Sequence, residues 1–504
     1  MREHPTYRVI IIGAGFGGIG MAIALRRAGI DDFLVVDKAP GLGGIWRDNT
    51  YPGLACDVPA NLYSYSFRPW KWSRRFPPRQ EILAYLQALV DENDLQPRMR
   101  FGSGVGSAEF DERQARWTVT LTSGETLTAD SVVCAVGQLG RPRYPAIAGR
   151  DDFAGPSWHS GAWNHDVNLA GKRIAVIGTG ASAIQFVPEI AKVAEHVDVY
   201  QRSAPYVIPK PDRAYNSFEH ALFDRVPAAQ KADRMRVFLY GELLTSGFVL
   251  STKLLAAPMT MWRRQLDAQI SDPVLRSKCV PDYVMGCKRV LFSNDWYATL
   301  ARPDVELVTE PIERIVAGGV TTADGQVRRA DVLIYGTGFT ATEFLPAMSI
   351  TGMKGRELHD AWRERAEAYL GISVAGFPNF FLLYGPNTNL GGNSIIYMLE
   401  GQINYALAAI QALEQQGLDW LDVRPDVQRA FIDWVDEASR STVWESGCRS
   451  WYTTDDGRNA TNWPDHTFLY RYRVRHFDLG RYQVMPRRRE TADASAGAAA
   501  GGAA

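Results

Sequence analysis

The stretch VIIIGAGFGGIGMAIALRRAGIDDFLVVD, residues 9–37, decides the fold. Four β-branched residues (Val9 to Ile12) precede a turn carrying Gly13, Gly15 and Gly18. An apolar helix is predicted from about Phe16, and a second apolar run ends at Asp37. This order of strand, glycine turn, helix and strand is that of a dinucleotide-binding unit, in which the missing side chains let a pyrophosphate approach the positive end of the helix. Asp37, nineteen positions after Gly18, offers a carboxylate to a free ribose diol. The same order returns at RIAVIGTGASAIQFVPEI, residues 173–190, where Gly178, Gly180 and Ala183 take the glycine positions. Here the residue nineteen positions on is Arg202, whose guanidinium matches a 2′-phosphate, and Ser203 adds a hydroxyl beside it. Two different dinucleotides are therefore expected, FAD at the first unit and NADPH at the second. The expected fold class is α/β, with two Rossmann-like domains and a helical insertion.

The bulk properties agree with an enzyme of small molecules. The chain has 504 residues, 46% hydrophobic and 22% charged, enough for about three lobes. A net charge of −1 gives no electrostatic case for nucleic acid or an anionic membrane. Residues 9–25 carry no charge and precede Arg26 and Arg27, but the strand, turn and helix account for the whole run, so a cytoplasmic protein is expected. Five cysteines, odd in number and without a CxxC pair, suit free thiols and argue against a disulfide reductase.

Working outward, RWTVTLTSGETLTADSVVCAVG (residues 116–137) alternates about a Ser-Gly turn and reads as a hairpin returning to a buried strand. Residues 138–152 resemble a linker in their Pro, Gly and Arg content. The expected organisation is an FAD domain over 1–146 and 342–490, an NADPH domain over 147–208 and 286–341, a helical insertion over 209–285, and a disordered tail over 491–504. The chain then crosses twice between the nucleotide domains, making a cleft that can move. In the insertion, Val237, Tyr240, Gly241 and Leu244 fall on one helical face, and Met235, Phe238, Tyr240, Phe248, Met259, Met261 and Trp262 are either a lid over the cofactor or ordinary core. GPNTNLGGNS (residues 385–394) precedes an apolar helix beginning near Ile395, and either faces the electron-rich end of a flavin or is a simple capped start. Arg487 to Arg489 read as a solvated charge run.

Three further motifs narrow the family. FAGPSWHSGAW carries Phe153, Gly155, His159 and Trp163; GGIWRDNTYPGLACD carries Gly44, Trp46, Tyr51, Pro52, Gly53 and Asp57; CKRVLFSNDWY carries Lys288 and Arg289. Together they resemble the type I Baeyer-Villiger monooxygenases, FAD- and NADPH-dependent enzymes that insert one atom of O2 beside a ketone carbonyl to give an ester or lactone. The resemblance covers residues 9 to about 485, with one departure: Asn164 stands where the family has Pro or Asp. It implies a catalytic pair of Arg289 and Asp57, with His159 linking domain position to turnover. It implies cofactor contacts from Phe16, Lys38, Gly44, Ile45, Trp46, Asp57, Tyr63, Val105, Thr179, Ala181, Ser182, Gln185, Lys288 and Arg289, beside the two glycine turns. Ser450, Trp451 and Tyr452 resemble a stretch that reaches the active site, with Trp451 at the substrate.

The implied chemistry explains the arginine. A flavin C4a-peroxide attacks a ketone only as its anion, and a guanidinium stays charged and donates several hydrogen bonds where a buried lysine can lose its proton. The nearest rival is a flavin-containing monooxygenase acting on sulfur or nitrogen; a more distant one is an electron-transfer reductase. The partners expected are a ketone, with a sulfide as alternative, and O2. Neither regiochemistry nor oligomeric state follows from sequence.

Overall fold

In the computed structural model, residues 6–345, 347–448, 450–454 and 457–487 are described. Residues 491–504, and Arg488 and Arg489, lie outside them. Arg487, the described member of the expected charge run, donates its backbone N–H to Gly417 O at 2.7 Å and lies 3.8 Å from the Asp419 carboxylate.

Two sheets form the frame. In the first, the order is Ser349–Thr351, Val105–Asp111, Arg116–Leu121, Thr126–Cys134, Thr6–Ile12, Phe33–Val36 and Met99–Arg100, with Phe380–Leu382 also paired to Thr126–Cys134. Thr6–Ile12 is parallel to both neighbours, with Ile10 opposite Leu34 and Val132. Its last four residues are buried, as expected for a strand covered on both faces. The hairpin about Ser123-Gly124 joins Arg116–Leu121 to Thr126–Cys134. The second sheet is all parallel, in the order Val305–Val308, His196–Tyr200, Arg173–Ile177, Val332–Tyr335 and Ser157–His159. In both sheets the first strand runs into a glycine turn and then a helix, Phe16–Arg27 in one and Ala183–Ile190 in the other.

Between the sheets the chain crosses at 138–152 and again after Tyr335, and the two crossings bond to each other. Arg143 N–H donates to Gly338 O at 2.9 Å, Thr340 N–H to Arg141 O at 3.0 Å, and Pro142 forms an isolated bridge with Phe339. A two-stranded tie thus joins the lobes, and short ties of this kind let packed bodies rotate about them.

Residues 217–278 hold four helices, Ser217–Arg225, Pro227–Val249, Ala256–Gln269 and Pro273–Lys278. Pro227 opens the second of them at a position where its missing N–H costs nothing. The expected apolar face is only partly correct: Val237 and Gly241 are buried, whereas Tyr240 is 49% exposed. A long helix, Ile395–Gln415, packs on Phe16–Arg27, and its first turn is capped by Ser394, whose Oγ accepts the Ile396 N–H at 3.3 Å. No helix among the described residues is long and apolar enough to cross a membrane.

One sequence expectation is overturned. Cys287 and Cys448 are joined as a disulfide, while Cys56, Cys134 and Cys279 are buried free thiols. The two partners are 161 positions apart, so no local spacing announced them.

Candidate functional site: a cleft between two nucleotide turns

A cleft of about 2300 Å³ opens between the sheets, more than twice the size of an ordinary single-ligand pocket. Its walls draw on both lobes, both crossings and a C-terminal loop.

On the first lobe, the glycine turn is tightly determined. Gly13 has φ +108°, and a Cβ there would stand 2.6 Å from Ala135 O. A Cβ on Gly18 would stand 1.8 Å from Gly13 O. No side chain caps the helix that follows, and no acidic residue lies in its first turn, so its N–H groups are free for an anion. Asp37 is held by two backbone donors, Ala14 N–H to Oδ2 at 2.8 Å and Ala39 N–H to Oδ1 at 2.9 Å, which aims the carboxylate at the turn. Gly15 and Gly44 lie against each other, Ile45, Trp46 and Tyr63 line the cleft, and Trp46 Nε1 donates to the Tyr63 hydroxyl at 3.1 Å. Lys38 is exposed and Val105 is buried in its strand; neither they nor Gly13, Gly15, Phe16, Gly18, Asp37 and Gly44 are on the cleft wall, which this lobe meets through Ile45, Trp46 and Tyr63.

The second turn repeats the design. Gly178 has φ +109° with Gly336 O 2.4 Å from a would-be Cβ, and the helix beginning at Ala183 has no side-chain cap. Thr179, Gly180, Ala181, Ser182 and Gln185 line the cleft. Gln185 also bridges the lobes: its Oε1 accepts the Tyr51 hydroxyl at 3.2 Å and its Nε2 donates to Ala55 O at 3.0 Å. Asp198, close to Arg202 in sequence, is occupied elsewhere, with His196 at 3.1 Å. Arg202 is exposed on the cleft wall, and Lys288 Nζ donates to Ser203 Oγ at 2.8 Å. Burial and the neighbouring Arg202 charge both push the Lys288 ammonium below its ordinary pKa. Arg202, Ser203 and Lys288 share one stretch of the wall, two cationic side chains and a hydroxyl whose chemistry suits an anion such as phosphate.

Between the turns stands the pair named by resemblance. Arg289 Nε and Nη2 both donate to Asp57 Oδ2, at 3.0 and 2.6 Å. Both donors converge on one carboxylate oxygen, so the contact is not a two-oxygen fork. Each side chain is 27% exposed, toward the cleft. Burial alone would raise the Asp57 carboxyl, but the Arg289 guanidinium and its hydrogen bonds, with Lys210 beyond, hold it below the usual carboxylate range. Arg289 is in turn raised by Asp57.

Two neighbours of the pair, Tyr384 and Lys210, carried no sequence signal as site residues, while a third, Tyr452, belongs to the Ser450–Tyr452 stretch named by resemblance. Tyr384, with φ +62°, lines the cleft and donates its hydroxyl to Asn389 Oδ1 at 2.5 Å. Lys210 is close enough to shift Asp57. Tyr452 is buried, and its pKa is pushed up to about 12 by burial against the opposing charge and hydrogen bonding of Arg289. Trp451 packs tilted against Tyr452, ring centroids 4.3 Å apart, and lines the cleft, as do Asn389, Leu390, Asn393 and Ile395 around the capped helix start.

The fingerprint residues lie outside the cleft wall. His159 is fully buried between Tyr144 and Phe339, one from each crossing, at ring distances of 5.6 and 5.3 Å. Its Nδ1 accepts the Gly161 N–H at 3.0 Å, and burial lowers its pKa against the opposing pull of the Gly338 backbone. Trp163 packs on Trp158 and Phe186, Phe153 packs under the second sheet, and Gly155 leaves no room for a Cβ beside Asp331 O. Asn164 Oδ1 accepts the Asp166 N–H at 3.0 Å, a local turn that any short acceptor could make. The proposed lid is absent from the wall: Phe248 and Trp262 are core, while Met235, Tyr240 and Met261 are exposed on the insertion.

The residues present suit FAD and NADPH. Besides the two bare helix starts, four buried polar atoms on the wall lack a protein partner: Asn49 Oδ1, Tyr200 Oη, Thr340 Oγ1 and Trp444 Nε1. Buried polar atoms are rarely left so unless a ligand or water meets them.

Comparisons with known proteins agree. Residues 10–219 match a family model described as pyridine nucleotide-disulphide oxidoreductase. A Baeyer-Villiger monooxygenase from Pseudomonas aeruginosa is 42% identical over 95% of this chain and 91% of its own length. Among solved structures, an oxidized steroid monooxygenase bound to NADP superposes with a TM-score of 0.86 at 30% identity, covering 95% of this chain and 99% of its own. OTEMO in complex with FAD and NADP gives 0.86 at 26% identity, covering 96% and 100%.

Proposed function

The chain belongs to the Baeyer-Villiger monooxygenases, and from that premise we propose that Arg289, oriented by Asp57, is the group that holds negative charge on the oxygen transferred to the ketone. The enzyme is an NADPH- and O2-dependent flavoprotein that inserts one oxygen atom beside a ketone carbonyl. FAD and NADPH, when bound, supply the electrons that activate O2. The protein's part is to place and tune what they produce.

In this reading the first glycine turn and Asp37 would hold FAD, with Trp46 and Tyr63 beside it. The second turn would hold NADPH, with Arg202, Ser203 and Lys288 available to its 2′-phosphate. Arg289 stands on the wall of the same cleft. Its charge lowers the cost of an anionic oxygen nucleophile and of the oxyanion formed when that nucleophile adds to the carbonyl carbon. Asp57 fixes the guanidinium in advance, so little reorganisation is needed at the moment of reaction. A cation at this place favours the nucleophilic form of the oxygen, which attacks a carbonyl, over the electrophilic form that suits soft sulfur. Trp451, on the cleft wall, would meet the ketone.

The observation that carries this reading is the Arg289–Asp57 contact inside a cleft lined by the second uncapped helix start and, from the first lobe, by Ile45, Trp46 and Tyr63. The test is a panel of cyclic, linear and aryl ketones given with NADPH and ¹⁸O2 to the FAD-loaded enzyme. Esters or lactones bearing one ¹⁸O are expected. NADPH consumption with all the O2 recovered as hydrogen peroxide, for every ketone, would overturn it.

A further inference from the structure

The Cys287–Cys448 cross-link joins two segments that meet at the reacting centre. Cys287 is fully buried and immediately precedes Lys288 and Arg289. Cys448 lies three residues before Trp451, on a loop whose Tyr452 faces Arg289. The loop hydrogen-bonds within itself, Tyr452 N–H to Ser450 Oγ at 3.2 Å and Ala460 N–H to Tyr452 O at 3.1 Å, and to the Asn387–Asn389 turn, where Asn387 Nδ2 donates to Asn459 O at 3.0 Å and Asn389 N–H to Thr461 O at 2.9 Å. The sulfurs add a covalent tie from this loop to the Cys287 segment. Opposite, the Cys287 segment is threaded closely: Gly286 has φ +94°, with the Phe248 ring 2.4 Å from a would-be Cβ.

The two sulfurs differ in access. Cys448 is partly exposed and lines a side cavity shared with Arg202, Ser203 and Lys288, the proposed phosphate seat. Neighbouring cations favour a thiolate, the form that reacts with peroxide.

We propose that Cys287 and Cys448 form a reversible redox latch that positions the Lys288–Arg289 segment against the Trp451–Tyr452 loop, closed by hydrogen peroxide and opened by a dithiol reductant. This rests on the reading of Arg289 and Lys288 given above. In closing, the Cys448 thiolate attacks one peroxide oxygen, the O–O bond breaks, and Cys448 sulfenic acid and hydroxide form, the latter taking up a proton to leave as water. The Cys287 thiol then displaces the second water as the S–S bond forms. In sum, two thiols and one H2O2 give one disulfide and two H2O. Opening transfers the disulfide to the external dithiol by exchange, returning both thiols. Peroxide is the product of a flavin monooxygenase that fails to pass its oxygen to substrate, so the latch answers the enzyme's own failure by tightening the site.

The test uses the FAD-loaded enzyme, divided into a sample reduced with dithiothreitol and a sample then treated with one equivalent of H2O2. After unfolding and alkylation, mass spectrometry should find five alkylated cysteines in the first. The second should show three, Cys56, Cys134 and Cys279, with a Cys287–Cys448 linked peptide. The reduced enzyme should show a several-fold higher KM for NADPH and more peroxide per NADPH than the oxidised one, with kcat at saturating NADPH changed less. Cys448→Ser should match the reduced enzyme and ignore both reagents. Failure to form the linked peptide refutes the latch whatever the enzyme oxidises. Equal KM and equal coupling in the two redox forms refute its positioning role even if the peptide is found. Loss of ester formation in both forms counts instead against the reading of the site.

Discussion

Replacing Arg289 by alanine is the sharpest perturbation of the reacting centre. It removes two donors to Asp57 Oδ2, at 3.0 and 2.6 Å, and leaves an unneutralised carboxylate where an anionic oxygen must form. A unit charge about 4 Å from that oxygen, at an effective dielectric near 20, is worth roughly 4 kcal/mol before desolvation. With 27% of each side chain open to the cleft, solvent screens part of it. Loss of a single oxyanion donor in enzymes costs about 2.7–4 kcal/mol, so ester formation should fall roughly 10²- to 10³-fold. NADPH oxidation should persist at the same order of magnitude, its electrons leaving as hydrogen peroxide. Parallel assays of NADPH loss, peroxide and ester measure all three. Arg289→Lys keeps a charge but not the planar array of donors, and belongs between wild type and alanine. An alanine variant with an unchanged ratio of ester to NADPH would remove the arginine from the chemistry.

Three other outcomes test separate parts of the molecule. Arg202→Ala should raise the KM for NADPH much more than that for NADH, and equal changes would place the 2′-phosphate elsewhere. Gly18→Ala puts a methyl 1.8 Å from Gly13 O, so purified variant should contain little FAD by its visible spectrum, and full flavin occupancy would contradict the geometry. Asp422 is buried and its pKa is pushed up to about 7, chiefly by desolvation, although both of its oxygens accept the Gly376 N–H. Between the unfolded carboxyl's pKa near 4 and about 7, the folded chain keeps a proton that the unfolded chain loses, so stability falls as pH rises through that window and levels off above it. Asp422→Asn should flatten this dependence, worth on the order of a few kcal/mol, in thermal melts at pH 5 and pH 8; identical pH profiles for both proteins would contradict the assignment.

Much of the frame was legible because its signals are local. Strand, glycine turn and helix at Val9–Arg27 and Arg173–Ile190 lie within single windows of sequence, and each charge-reading residue sits at a fixed offset from its turn. Contacts between distant segments were not legible by spacing. Arg289 and Asp57, 232 positions apart, were named by resemblance, and even then their convergence on one oxygen was not foreseen. Cys287 and Cys448 followed no spacing rule at all. In the insertion, periodicity marked apolar residues without saying which side meets protein: Phe248 packs beneath the Gly391-Gly392 turn, while Met235 is 55% exposed. Tyr452 was named by resemblance, whereas Tyr384 carried no signal until the fold set it beside Arg289.

The strand Phe380–Leu382 pairs with Thr126–Cys134, a partner made some 250 residues earlier. On the ribosome, the first lobe therefore waits, one central neighbour short, while the whole second lobe emerges and folds behind it. A nascent chain of this design exposes an apolar sheet edge through most of its synthesis, so its yield in cells should respond to chaperone supply more steeply than that of a protein whose lobes are contiguous.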